Sequence, residues 1–347
     1  MARDVLSDVL KGFGAVLVVL GHCIQLSYGN NAFFEDRLYQ FIYSFHMPLF
    51  MVISGYYAWN SVRRAATVQD RWRMIRRKCV YLAVPNVAWK LIDFVYWYAA
   101  GAYAGWAAGA VLKDILVGIM ANFWFLWAVL YSFLLVCLMH YKLRDSVWIY
   151  SLVFIAMFFT PDGLALMACK YVLPYYLIGF YANKNKEQLQ AKVSAAGDGR
   201  GRRWAVFWVS GLLFLILVSF YDTDSFIYLT GYKLIGKDYG TQLRIDLYRF
   251  FVGFCGIVFW GLFWSLLLNL RRQWRFGVRA LAYMGSNGMG IYIVSSFTIR
   301  WIDFQAVGEG VPRYAVNLVE TVFVVFCSIV IVEVLGRIKW IRMIVGK

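Results

Sequence analysis

Residues 7–28 read SDVLKGFGAVLVVLGHCIQLSY, and the fold class follows from them. A mostly apolar run of about 20 residues is what a helix needs to cross the ~30 Å hydrocarbon core of a bilayer. The run also carries Asp8, Lys11 and His22. Ionisable groups at membrane depth are costly enough to be functional candidates by default. Asp8 and Lys11 stand three residues apart and can pair on one helix face. Lys11 and His22 stand eleven apart, which at ~100° per residue returns to the same face about 16 Å further along the axis. Asp8, Lys11, Ala15, Val18 and His22 thus form one stripe, charged at one end and closed by an imidazole at the other.

The rest of the chain repeats the pattern. Of 347 residues, 62% are hydrophobic and only 16% charged, against roughly 45–50% and 25% in soluble domains. That excludes a water-soluble globular protein, a disordered chain and a disulfide scaffold. Apolar runs at 7–28, 41–60, 79–99, 115–139, 147–162, 166–183, 204–221, 247–270, 281–299 and 314–335 predict an all-α membrane protein of about ten spans, a single polytopic domain over 1–347. A basic flank before the first span would also suit a secretory signal. No small-x-small cleavage pattern follows it, and a disposable segment has no use for its ionisable residues, so it is expected in the mature chain. The six cysteines lie in or beside the spans with no C-x-x-C spacing, which points to neither a disulfide framework nor a zinc site.

The net charge of +16 does not gather on one soluble face, so nucleic acid is not an expected partner. With the N-terminus in the cytoplasm, the inner segments collect most of the 35 lysines and arginines. They hold Arg3 and Lys11, seven cations between Arg63 and Lys78, then Lys142 and Arg144. Six more lie between Lys184 and Arg203, four between Arg271 and Arg279, and four after Gly336. The positive-inside bias places both termini in the cytoplasm of a multi-pass protein of the cell (inner) membrane, with anionic membrane lipid as a secondary partner. The inner loop 61–78 sets Arg63, Arg64, Arg71, Arg73, Arg76, Arg77 and Lys78 against a single Asp70. The outer loop 222–246 mixes Tyr228, Tyr232, Lys233, Lys237, Asp238 and Tyr239, too polar to span and long enough to shape a binding surface.

His46, about five residues into the antiparallel second span, matches His22 in depth. Two imidazoles at one level, one aligned with a buried cation, favour chemistry over packing, because neutral imidazole accepts a proton near pH 7. His140 sits at a helix end, where a cation is ordinary. Lys90 and Asp93 are expected to neutralise each other. Arg249 and Glu320 are expected to line a cavity and meet the acceptor, and Glu320 is also a candidate to orient an imidazole.

Asp8-Val9-Leu10-Lys11-Gly12 with Val18-Val19-Leu20-Gly21-His22 resembles the first span of the acyltransferase-3 family of integral membrane O-acyltransferases. Phe45-His46-Met47-Pro48-Leu49-Phe50 with Ile53-Ser54-Gly55-Tyr56 resembles that family's second span. Trp124-Phe125-Leu126, Leu177-Ile178-Gly179-Phe180 and Gly290-Ile291-Tyr292 continue the likeness in order. The resemblance implies transfer of an acyl group, usually acetyl, from cytoplasmic acyl-coenzyme A to a hydroxyl of a glycan, lipid-linked sugar or similar exported acceptor. Acyl-coenzyme A is then a substrate, and no cofactor or metal is expected. The family carries an arginine eleven residues before its essential histidine; Lys11 keeps the charge but not the bidentate geometry. Its Arg-x-x-Arg motif falls on Arg73-Met74-Ile75-Arg76. Where many members have a histidine after the late Ile-Tyr, this chain has Ser295 and Ser296.

The residues support the same chemistry. A polyanionic donor confined to the cytoplasm needs cations there, and Lys11, Arg73, Arg76, Arg77 and Lys78 supply them. A pantetheine arm along the first-span stripe brings its thioester to His22 as general base, with His46 orienting substrate or oxyanion and Asp8 pairing Lys11. A multi-span transporter or flippase of a glycan or small solute is the alternative. Inverted repeats and helices broken in matching halves would favour it, and the sequence displays neither. A non-catalytic sensor that keeps the fold is a third reading.

Overall fold

Every regular element of the described residues is helical. In the computed structural model these are residues 4–143, 146–163, 166–195, 199–270, 275–301 and 312–347. Arg3, Arg144, Arg271 and Arg272, counted above among the inner cations, lie outside them. In order, the helices are α1 (Val5–Tyr28), α2 (Arg37–Tyr43), α3 (His46–Val62), α4 (Val68–Ala99) and α5 (Ala108–Ala121). Then come α6 (Trp124–Lys142), α7 (Val147–Phe158), α8 (Leu166–Lys184), α9 (Lys186–Ala195) and α10 (Gly199–Ser219). The last are α11 (Ile227–Thr230), α12 (Tyr239–Leu270), α13 (Arg275–Ser286), α14 (Gly288–Thr298) and α15 (Arg313–Gly336). Six of these, α1, α4, α6, α10, α12 and α15, are long and apolar enough to cross a membrane.

The ends of α1 follow from its sequence. The Asp4 carboxylate accepts from the Ser7 amide at 3.3 Å, and Gly29 stops the helix at φ 62°, a conformation glycine adopts without a Cβ clash. Residues 61–78, expected to be a loop, are not simply one. Thr67 caps α4 through the Asp70 amide at 3.1 Å, so most of the basic residues ride on a 32-residue helix. Such a helix is about 48 Å long, and its basic end extends beyond a ~30 Å hydrocarbon core.

Three stretches read as continuous spans are interrupted. The second breaks at Ser44-Phe45, because Pro48 cannot donate and would clash with the carbonyl four residues back. Starting α3 at His46 puts Pro48 in the first turn, where neither cost arises. The fourth breaks at Asn122-Phe123 and the ninth at Asn287. Interrupted backbone at membrane depth is tolerated where it lines a cavity or is buried in protein: Asn122 and Phe123 line a cavity, Ser44 and Phe45 are buried, and Asn287 stands between the lining residues Ser286 and Gly288.

Glycines set the closest crossings. A Cβ on Gly12 of α1 would overlap the Leu281 carbonyl of α13, and one on Gly285 the Asp8 carbonyl. The same reciprocal contact joins Gly55 of α3 to Tyr176 of α8, and Gly179 of α8 to Val52. Close backbone approach through small residues is how helices gain packing contacts in lipid. These crossings bind α1 to α13 and α3 to α8; α1 and α3 also touch, with α4, α6, α14 and the chain end closing around them.

Candidate active site

Three chambers lie in series along the bundle. The first, about 470 Å³, is walled by Arg64, Asp70, Arg73, Arg77, Lys78 and Tyr81, with Phe133 at its back. Residues 70, 73, 77, 78 and 81 share one face of α4, because i+3 and i+4 steps return to the same side. Arg76 falls on another face, is exposed and is not among the lining residues. Arg73 also bonds Asp70 at 3.1 Å.

Ser61, Lys78, Tyr81 and Phe133 line the next chamber too, about 330 Å³. Its wall carries Lys11, Ala15 and Val18 of the first-span stripe, and Tyr57, Met289 and Gly346. Lys11 meets Asp8 at 2.7 Å, as the three-residue spacing requires, and its ammonium lies 5.7 Å from the Tyr57 ring centroid. The chain end helps to close this chamber: the Tyr81 hydroxyl donates to the Gly346 carbonyl at 3.0 Å and the Trp89 indole to Ile344 at 2.9 Å.

The third chamber, about 550 Å³, holds His22 and His46. The depth match read from the sequence therefore brings both imidazoles to one cavity. Buried His46 turns Nδ1 to the Ile42 carbonyl at 2.7 Å. A carbonyl only accepts, so in the neutral ring Nδ1 carries the proton and Nε2 keeps its lone pair. His46 in that form cannot donate to an oxyanion. His22 faces Gln25 Oε1 through Nδ1 at 3.4 Å. Aromatic side chains dominate the wall, among them Phe33, Phe34, Tyr43, Trp124, Tyr228 and Tyr292. Ser296 lines the chamber and donates to the Ile293 carbonyl at 2.7 Å.

Other intramembrane charges fall elsewhere. Arg249 lines none of the three chambers. It is buried, pairs with Asp246 at 2.7 Å and donates to the carbonyls of Ser225, Gly231 and Asp224 and to the Thr230 hydroxyl. Its guanidinium thus knots the segment 224–231 onto α12, and that segment carries Tyr228 into the histidine chamber. Glu320 is buried on α15 beside the Cys23 thiol, outside the lining of all three chambers. Lys90 and Asp93 do not neutralise each other: Lys90 bonds Asp114 at 2.8 Å, and Asp93 bonds Arg300 at 2.9 Å. His140 closes α6, edge-on to Trp59 at 5.6 Å.

Sequence reasoning missed Arg300, Tyr292 and Gln25. Arg300 lies one residue past the expected end of a span and lines the histidine chamber. Tyr292 lines both the middle and histidine chambers. Gln25 was legible in principle, three residues after His22 on the same helix.

A largely apolar series of cavities runs through an all-helical bundle, basic at one end and bearing two imidazoles at the other. A family model described as an acyltransferase domain matches residues 6–337. The chain belongs to that family, acyltransferase-3. It is 32% identical over 181 residues to the nodulation protein NolL of Mesorhizobium japonicum, covering 51% of this chain and 47% of that one. It is 36% identical over 191 residues to the nodulation protein NolL of Sinorhizobium fredii, covering 54% and 50%. The chain thus spans about half the length of the curated relatives it matches. No solved structure matches it.

Proposed function

We propose that this chain is an O-acyltransferase, with acetyl the usual group, that carries acyl from cytoplasmic acyl-coenzyme A to a hydroxyl of an envelope glycan or lipid-linked sugar. In this reading one domain of ten spans lies in the cell (inner) membrane with both termini in the cytoplasm. What supports it is the chamber series, from the arginine mouth past Lys11 to His22 and His46. The donor's phosphates meet Arg73, Arg77 and Lys78, each able to make charge-assisted hydrogen bonds. The pantetheine arm lies in the middle chamber beside the stripe. Its thioester stops where the middle and histidine chambers adjoin.

The acceptor sugar enters the histidine chamber, where aromatic walls suit a ring with an apolar face. His22, its Nδ1 proton directed at Gln25, takes the hydroxyl proton on Nε2 as the hydroxyl oxygen attacks the thioester carbonyl. The Tyr292 phenol, which lines both chambers, donates to the oxyanion. Collapse breaks the carbon–sulfur bond, and the imidazolium gives its proton to the leaving thiolate. His46 accepts from a neighbouring sugar hydroxyl and so orients the ring. Arg249 acts by holding the acceptor wall, and Glu320 by packing α15 against α1.

Labelled acetyl-coenzyme A, supplied to the cytoplasmic face of membrane vesicles from producing cells, tests this directly. Label in the vesicle glycan, absent without the protein, is the expected outcome. Movement of intact solute with no labelled glycan would make the chain a transporter, and donor binding with neither would make it a sensor.

A further inference from the structure

The middle and histidine chambers share three lining residues, Val18 of α1, Met47 of α3 and Tyr292 of α14. They are not equivalent. Val18 is buried and β-branched, and a helix leaves such a side chain one strongly preferred rotamer. The Tyr292 ring is held edge-on by Phe123 at 5.7 Å and by Phe125 at 6.2 Å. Met47 is unbranched, with three rotatable bonds, and occupies the second position of α3 beside His46. The partition thus has two fixed members and one that can swing.

We propose that Met47 is the gate of this partition and sets the size of acyl group the protein transfers. The inference rests on the acyl-transfer reading above. The thioester sulfur is tied to a donor arm in the middle chamber, while the attacking hydroxyl and both imidazoles lie in the other. The carbonyl carbon must therefore sit at the partition, with the acyl tail on the side away from sulfur, at or beyond the opening. Rotation of one methionine side chain opens a gap of about its own cross-section. Acetyl passes such a gap readily, and each added methylene meets the fixed walls of Val18 and Tyr292. Between turnovers the closed methionine separates the donor side from the acceptor side.

The test uses labelled acetyl-, propionyl- and butyryl-coenzyme A, each given to the cytoplasmic face of vesicles carrying the full chain, with label in vesicle glycan counted per folded molecule. Met47→Ala should raise the butyryl-to-acetyl ratio by about tenfold or more, the scale on which a pocket discriminates methylenes. Met47→Phe should lower it. If Met47→Ala does not accumulate, Val18→Ala widens the same opening from α1 and is read in the same way. A ratio unchanged from wild type, in a protein that transfers acetyl, overturns the gate and leaves the acyl-transfer reading standing. A wild-type protein that transfers none of the three groups overturns that reading, and the gate with it.

Discussion

His22 and His46 reach one cavity because two antiparallel helices place them at the same depth, and each ring's Nδ1 faces an oxygen acceptor. That arrangement leaves Nε2 available to a hydroxyl. Replacing His22 with Gln keeps hydrogen-bonding capacity and approximate size but removes the base. Transfer per folded molecule should fall ~10²–10⁴-fold while donor binding persists; near wild-type turnover would reduce His22 to a packing residue. Tyr292→Phe deletes only the phenol oxygen. Loss of an oxyanion donor costs ~10²–10³-fold in transfer rate, so a kcat reduced on that scale at unchanged donor affinity is expected. A changed donor affinity with normal kcat would place the hydroxyl on the arm rather than on the carbonyl. The pairing of the histidines was legible in spacing, whereas Tyr292 was visible only as part of a short motif, because nothing in one span says which cavity its face will meet.

Within α4, the face decides function. Arg73 and Arg77 share the side that lines the first chamber, and Arg76 does not. Arg73→Ala and Arg77→Ala should each weaken acyl-coenzyme A binding by the ~1.5–3 kcal/mol of a charge-assisted contact, and Arg76→Ala by clearly less. Equal losses at all three, measured by equilibrium binding, would show a diffuse positive field instead of a built mouth. At the other end, the knot on α12 makes a different demand. Arg249→Met leaves Asp246 buried without its cation, a class of change that costs ~3–5 kcal/mol. The segment 222–238 should then become open to protease and glycan transfer should fall, with donor affinity unchanged. Protease resistance equal to wild type would deny Arg249 this role. The start of this helix is hard to see in the sequence because the charge density of 61–78 masks the Thr67 and Asp70 cap, a signal carried by only two residues.

For the whole molecule, direction across the membrane is what the chamber series must satisfy. The arginine mouth and the chain end lie at one end of the bundle, and Tyr228 with the segment 222–238 at the other. In a background without native cysteines, Ile235→Cys should react with an impermeant thiol reagent on intact cells, and Lys339→Cys only after permeabilisation. The reverse pattern would put the cationic mouth outside, away from coenzyme A, and end the donor assignment. The crossings through Gly12, Gly285, Gly55 and Gly179 make this arrangement hard to rearrange, since each brings backbone against backbone.

Composition and spacing alone give the class of solvent, the helical character and the first-span stripe. Those depend on composition and on the 3.6-residue period, both local properties. It also placed Lys11 with Asp8 and His22 with His46, because a fixed rise per residue converts spacing into depth. The packed fold alone settles that Arg249 ties down a loop and that Lys90 and Asp93 go to separate partners. Each of those outcomes depends on which residues from distant segments lie within about 3 Å, the reach of a hydrogen bond. The helix breaks divide between the two: Pro48 imposes the one at Ser44-Phe45 from within its own span, whereas those at Asn122-Phe123 and Asn287 open where other helices leave a cavity or buried protein beside them.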